Sequence, residues 1–165
     1  MKKIKNLALV LTMLMVFATL TACGSDPVKD EFVDYCNNDV NKTFNPEYNA
    51  IIKLYTDALE TQDVEATITA LDGPIKTQND ALLAKLKAFT PKSTEVKELH
   101  NIFIKTVEIK KEGFELLLKA LTTEASDDTA TDAATAKLAE ADAKLKEFEA
   151  KRATMMKDFN LVLKK

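Results

Sequence analysis

From residue 28 to the end of the chain, apolar residues recur at steps of three and four, the period of an α-helix packed along one face. Four segments carry the pattern. The first, from about 28 to 60, has the stripe Val28, Phe32, Cys36, Val40, Phe44, Tyr48, Ile51, Tyr55 and Ala58. The second, from about 63 to 89, reads Val64, Ile68, Leu71, Ile75, Gln78, Leu82, Leu86 and Phe89. The third, from about 91 to 124, reads Val96, Leu99, Phe103, Val107, Lys110, Phe114, Leu117 and Leu121. The fourth, from about 132 to 164, reads Leu138, Ala141, Leu145, Phe148, Arg152, Met155, Phe159 and Val162, a heptad alternation without a slip.

Prolines mark where these helices bend or begin. Asn45-Pro46 falls inside the first stripe and Gly73-Pro74 inside the second, yet both stripes keep step across them. A proline inside a helix removes a hydrogen bond and costs about 3 kcal/mol, so these sites predict kinks rather than reversals. Asp63 is placed to cap the second segment, and Thr90-Pro91 to start the third. Residues 125–131 form the most polar stretch and predict a loop. Short joints between segments of nearly equal length favour antiparallel neighbours. The expectation is an all-α fold, an antiparallel up-down four-helix bundle about 45 Å long at 1.5 Å per residue, kinked near Pro46 and Gly73-Pro74.

The first 22 residues differ in kind. Lys2, Lys3 and Lys5 precede an apolar run from Leu7 to Leu20, broken only by Thr12 and Thr19. The run is short for a membrane-spanning helix and reads as an export signal. It ends in Leu20-Thr21-Ala22-Cys23, which resembles the lipobox of bacterial lipoprotein precursors: an aliphatic residue, two small residues, then cysteine. The resemblance implies a diacylglyceryl group on the Cys23 sulfur and cleavage between Ala22 and Cys23. It further implies residence on the extracytoplasmic face of the cell membrane, with the membrane itself as the first partner. Residues 1–22 would be removed, 23–27 would be a lipidated tether and 28–165 the helical domain. Two acyl chains suffice for stable anchoring where one is marginal. No aspartate directly follows Cys23, so the enterobacterial inner-membrane retention pattern is missing.

Composition narrows the chemistry. The 165 residues include 3 Gly, 4 Pro and no Trp, too few turn formers for a β-sandwich or barrel. Net charge is −3, and loss of the three leader lysines takes the body to −6, which offers nothing to nucleic acid and keeps the body off an anionic membrane surface. Two cysteines, one of them in the lipobox, leave Cys36 without an intramolecular partner, and on the stripe it reads as a small core residue.

His100 is the only histidine and Arg152 the only arginine. Heights along an up-down bundle place Gln78, His100 and Arg152 near one level, with Asp39 opposite. Arg152 reads either as an arginine whose stem packs at the bundle edge while its head reaches water, or as a buried cation with a partner; the second reading predicts a polar layer of Asp39, Gln78, His100 and Arg152, with Asp39 as counter-ion to Arg152. A haem site pairing His100 with Met155 or Met156 lacks the Cys-x-x-Cys-His motif, and a di-iron site lacks its second Glu-x-x-His. No cofactor beyond the lipid on Cys23, no metal site and no catalytic residue is expected. Tyr35, Tyr48 and Tyr55 fall on or beside the first stripe, and Gly113 sits mid-helix. The functional expectation is a non-catalytic binding module with a protein partner in the envelope or outside the cell. The alternatives are a small-ligand carrier with a pocket at the kinks or around Arg152, and a structural spacer.

Overall fold

A computed structural model describes residues 20–21, 26–123 and 128–163. Ala22, Cys23 and most of the leader lie outside the described residues. The described body is helical, and no helix in it is long and apolar enough to cross a membrane.

The helices join into four rods. Rod 1 starts with α1 (Pro27–Asp34), widens into a π-helical stretch at Tyr35–Phe44, and continues as α2 (Asn45–Glu60). Rod 2 runs through α3 (Val64–Ala70), a π-helical stretch at Leu71–Ile75, and α4 (Lys76–Ala88). Rod 3 is α5 (Thr94–Thr122) and rod 4 is α6 (Asp128–Asp158). At the ends of the chain, β1 (Leu20–Thr21) pairs antiparallel with β2 (Val162–Leu163).

The kinks expected at the prolines take the form of wide turns. A proline has no N–H, and its ring crowds the carbonyl four residues back. Opening the turn relieves that crowding and shifts the bonding to five residues back. The Asn45 N–H accordingly donates to the Val40 carbonyl just before Pro46. Pro74 lies within the second wide stretch.

Local chemistry sets the ends. The Asp26 carboxylate accepts from the Val28 and Lys29 N–H groups, so the helix begins at Pro27. Asp63 caps α3 through the Glu65 N–H at 2.9 Å. The third helix starts at Thr94 instead of Pro91. The Glu31 carboxylate takes the Lys92 and Ser93 N–H groups, and the Ser93 hydroxyl caps through Val96 at 3.4 Å. The fourth helix begins at Asp128, inside the expected loop, and stops at Asp158, well short of Lys164. Asn160, at φ 52°, closes it: Asn160 N–H donates to Lys157 O and Leu161 N–H to Met156 O. That is a Schellman cap with the buried Leu161 as its apolar partner.

The core runs the length of the rods. Every residue of the first stripe after Val28 is buried, as are Val96 to Leu117 of the third and Leu138 to Met155 of the fourth. Rods 3 and 4 make the most extensive helix contact. They meet through Glu98–Lys151, Phe103–Phe148, Lys110–Asp142 and Glu112–Lys137. An ideal Cβ on Gly113 would lie 2.7 Å from Leu138 Cδ2, so the missing side chain lets α5 and α6 approach. Rod 1 meets rod 2 through Glu47–Lys85 and through the Thr67 hydroxyl on Ala58 O. It meets rod 3 through Tyr35–His100, Tyr48–Phe103 and Tyr55–Phe114. It meets rod 4 through Phe32–Phe159. Asp80–Lys111 and Lys87–Glu108 tie rod 2 to rod 3.

The second stripe is the one the sequence misplaces. Val64 is exposed at 41% and Gln78 is exposed, while Thr67 and Asn79 are buried in their stead. The wide turn at 71–75 stretches the repeat, so the buried series runs Leu71, Ile75, Asn79 in steps of four. The regular period had put Gln78 on the seam.

Candidate functional site

Among the described residues, the buried histidine and the buried cations of the core fall at two stations. At the first, rod 3 carries His100, buried to 1% exposure. Its Nε2 lies 2.8 Å from the Leu86 carbonyl and its Nδ1 lies 3.1 Å from the Tyr35 hydroxyl. A carbonyl only accepts, so Nε2 carries the proton and Nδ1 accepts from Tyr35 O–H. Both nitrogens of a neutral imidazole are thereby satisfied. The Tyr35, Phe44 and Phe89 rings surround it at 5.1–5.9 Å between centroids. Burial pulls the imidazole below its ordinary 6.5, outweighing the Leu86 bond.

Beside Tyr35 on rod 1, Cys36 faces rod 4 and hydrogen-bonds Arg152, itself buried to 8% exposure. Burial pushes the Cys36 thiol up to about 11 even against the guanidinium. Cys36 is a free, buried cysteine, as the stripe suggested.

The predicted layer is therefore half assembled. His100 and Arg152 sit against neighbouring residues of rod 1. Asp39 and Gln78 do not join them. Asp39 is half-buried, and its carboxyl is held up by burial and by Asp34 beside it. The stripe runs Cys36, Val40, Phe44 in steps of four through the wide turn, and this leaves position 39 beside the seam. Gln78 is carried to the surface by the second wide turn. Tyr35 and Cys36 supply the polar atoms that Asp39 and Gln78 were expected to supply.

The second station escaped the sequence analysis. Lys110, 1% exposed, pairs with Asp142 across the rod 3–rod 4 contact at 2.5 Å. Burial pulls the ammonium below its ordinary 10.5, against the opposing pull of Asp142. From rod 1, Tyr48 and Tyr55 are buried against Phe103 and Phe114 of rod 3. Burial first, then Asp142, holds both phenols well above their ordinary range. A signal was available: Lys110 interrupts an otherwise apolar stripe, as Arg152 does, and a charge there calls for a partner on the facing rod.

At the surface, Tyr35, Phe89, Asp30, Glu31, Asp34, Asp39 and Lys92 line an open concavity of about 680 Å³. A shallower one of about 450 Å³ lies along rod 1 from Pro46 to Asp57. Among the described residues, no group of three or more His, Cys, Asp or Glu side chains is placed to hold a metal ion. Each core station ties rods together. Comparison with protein-family models, with curated proteins and with solved structures finds no match to this chain.

Proposed function

We propose that the chain is a lipid-anchored, extracytoplasmic lipoprotein whose helical body acts as a non-catalytic binding module for a protein partner at the cell envelope. The observation that carries this reading is the sequence Leu20-Thr21-Ala22-Cys23, followed within three residues by the Asp26 cap of rod 1. A diacylated Cys23 so close to the first turn would tether the body directly at the membrane surface.

The body is an antiparallel up-down four-helix bundle on this proposal. The order of contacts supports it. Residue numbers rise on one rod as they fall on the next for Glu47–Lys85 and Ala58–Thr67. The same holds for Leu86–His100 and Asp80–Lys111, and for Glu98–Lys151 and Glu112–Lys137. Across rods 1 and 3 they rise together, from Tyr35–His100 to Tyr55–Phe114, as a diagonal pair requires. Side chains fill the seam along its length, and this supports a rigid surface displayed to a partner over chemistry within.

The test is expression of the full chain in a bacterium, with fractionation and intact mass measurement. The expected product begins at Cys23, carries a diacylglyceryl mass and sediments with membranes, whereas Cys23→Ala remains unprocessed. A wild-type chain without added lipid sinks the anchor. Cross-linking of the anchored protein in its host then tests the partner. A small-ligand carrier is the second reading, favoured by the concavity around Tyr35 and Phe89. Native mass spectrometry of the protein from its host separates the two: a discrete added mass, lost on denaturation, favours the carrier.

A further inference from the structure

Two segments at opposite ends of the sequence meet in space. β1 pairs antiparallel with β2, with Leu20 opposite Leu163 and Thr21 opposite Val162. A two-stranded ladder alone is marginal in water, and this one is held by what flanks it. Before β2, the Schellman cap at Asn160 turns the chain off rod 4, and the buried Leu161 fixes the point of departure. After β1, the Asp26 cap starts rod 1 five residues beyond Thr21. Phe32 of rod 1 and Phe159 of rod 4 then meet with 5.7 Å between ring centroids. Docking of rod 4 on rod 1 is therefore what brings β2 to β1.

β1 is also the first half of the sequence Leu20-Thr21-Ala22-Cys23, and the bond between Ala22 and Cys23 follows one residue after Thr21. An enzyme that cuts there has to grip the residues just before the bond. Extended peptides are commonly gripped by main-chain hydrogen bonds of the kind a sheet edge makes. The main-chain groups of Leu20 and Thr21 that bond β2 cannot serve an enzyme at the same moment. The ladder spans two residues on each side, and each net hydrogen bond is modest, so the competition slows the cut without preventing it.

We propose that β2 is a built-in restraint on maturation: paired with β1, it withholds the leader residues beside the Ala22–Cys23 bond, and the precursor is cut only while this ladder is open. The inference rests on the lipobox reading above and adds an order of events to it. A precursor whose rod 4 has not yet docked is cut quickly, and one whose body is complete is cut slowly. Removal of residues 1–22 takes β1 away from β2.

The test is pulse-chase labelling of the full chain in a bacterium, following conversion of the precursor to the cut form. Val162→Pro/Leu163→Pro removes both N–H donors of β2 and leaves the leader, the lipobox and the helices unaltered. It should shorten the precursor half-life about fivefold, the equilibrium effect of one net backbone hydrogen bond. Equal half-lives overturn the proposal and leave the lipobox reading standing. A precursor that is cut in neither chain overturns both. The pairing has its own measurement in Cys23→Ala, which keeps its leader. There Thr21→Cys/Val162→Cys should form a disulfide in the oxidising compartment outside the cytoplasm, because opposite residues of a ladder lie about 4.5–5.5 Å apart at Cα, within disulfide range. Thr21→Cys/Lys157→Cys, with the second site on the exposed side of rod 4, should not. A first pair that fails to cross-link, or cross-links no better than the second, overturns the proposal whatever the half-lives.

Discussion

Rods 1 and 2 and rods 3 and 4 solve one problem in two ways. Each must keep an apolar stripe on the seam for some 25 to 34 residues. In α5 and α6 the buried positions mix steps of three and four, and the helices stay regular along their full length. In rod 1 the series Phe32, Cys36, Val40, Phe44, Tyr48 takes four consecutive steps of four. At 3.6 residues per turn each such step drifts about 40° around the axis, so a regular helix would carry the stripe off the seam. The wide turns at 35–44 and 71–75 absorb the drift next to the prolines that make them economical. One half of the molecule fits its sequence to the helix, and the other fits its helix to the sequence. The first half gains a close approach of small residues; the second gains room for aromatic side chains.

The largest effect that would sharpen this contrast lies in the tight half. Asp142→Ala leaves the Lys110 ammonium buried and unpaired, and should cost about 3 kcal/mol in denaturant unfolding. Adding Lys110→Met should recover most of that loss. No recovery would mean that Asp142 acts through packing alone.

The two internal glycines offer a paired comparison. Gly113→Ala improves helix propensity but places a Cβ 2.7 Å from Leu138 Cδ2 and 3.2 Å from the Leu138 backbone nitrogen. The backbone atom cannot yield as a side chain can, so a net loss of about 1–2 kcal/mol is expected. Gly73→Ala in the wide turn of rod 2 meets nothing within 4 Å. The proline ring of Pro74 crowds a Cβ on the helical residue before it, so the net gain should be under about 0.5 kcal/mol. Equal signs for the two substitutions, read by thermal unfolding, would break the comparison between halves.

The smallest effect at neutral pH belongs to His100. Its folded pKa lies below the unfolded 6.5, so the neutral form is favoured in the native state. The stability this contributes is complete above 6.5 and is lost as the pH falls from there through the folded value. Unfolding followed between neutral pH and the onset of carboxylate titration should show that loss in the wild type. His100→Gln should flatten the slope in that window. An unchanged slope would assign the acid sensitivity to other groups.

Most of the fold was legible because burial in a helical protein follows period, and period is written in residue type. The first stripe could be read from Phe32 to Ala58, and the fourth from Leu138 to Met155. Gln78 could not, because the wide turn moves the buried position between Ile75 and Leu82 from 78 to 79, and the proline that signals the turn does not state its size; Leu82 and Leu86 fall back on the expected stripe. Asp39 was placed by height along the rod alone, and lies half-buried beside the seam. The series of fours was nonetheless visible in the letters, and it is the signature of an underwound helix. Lys110 was legible as an anomaly and went unread. Its partner Asp142 sits beside a stripe residue, and only the register of rods 3 and 4 brings the two together. The first helix boundary of rod 3 depended on Glu31, some sixty residues earlier, together with the local Ser93 cap, which the Thr90-Pro91 pair had masked in the sequence.

The contact between α5 and α6 also has a kinetic consequence. It joins helices adjacent in sequence, so little loop entropy opposes its closure. The α5–α6 hairpin should therefore form the folding nucleus, with rods 1 and 2 adding their wide turns and aromatic rings after the rate-limiting step. In stopped-flow refolding, Leu145→Ala should chiefly slow folding and Ile51→Val chiefly speed unfolding. The reverse pattern would place the nucleus in the underwound half. A chain built this way commits first to its most regular part, and leaves its irregular turns to be shaped against a surface already in place.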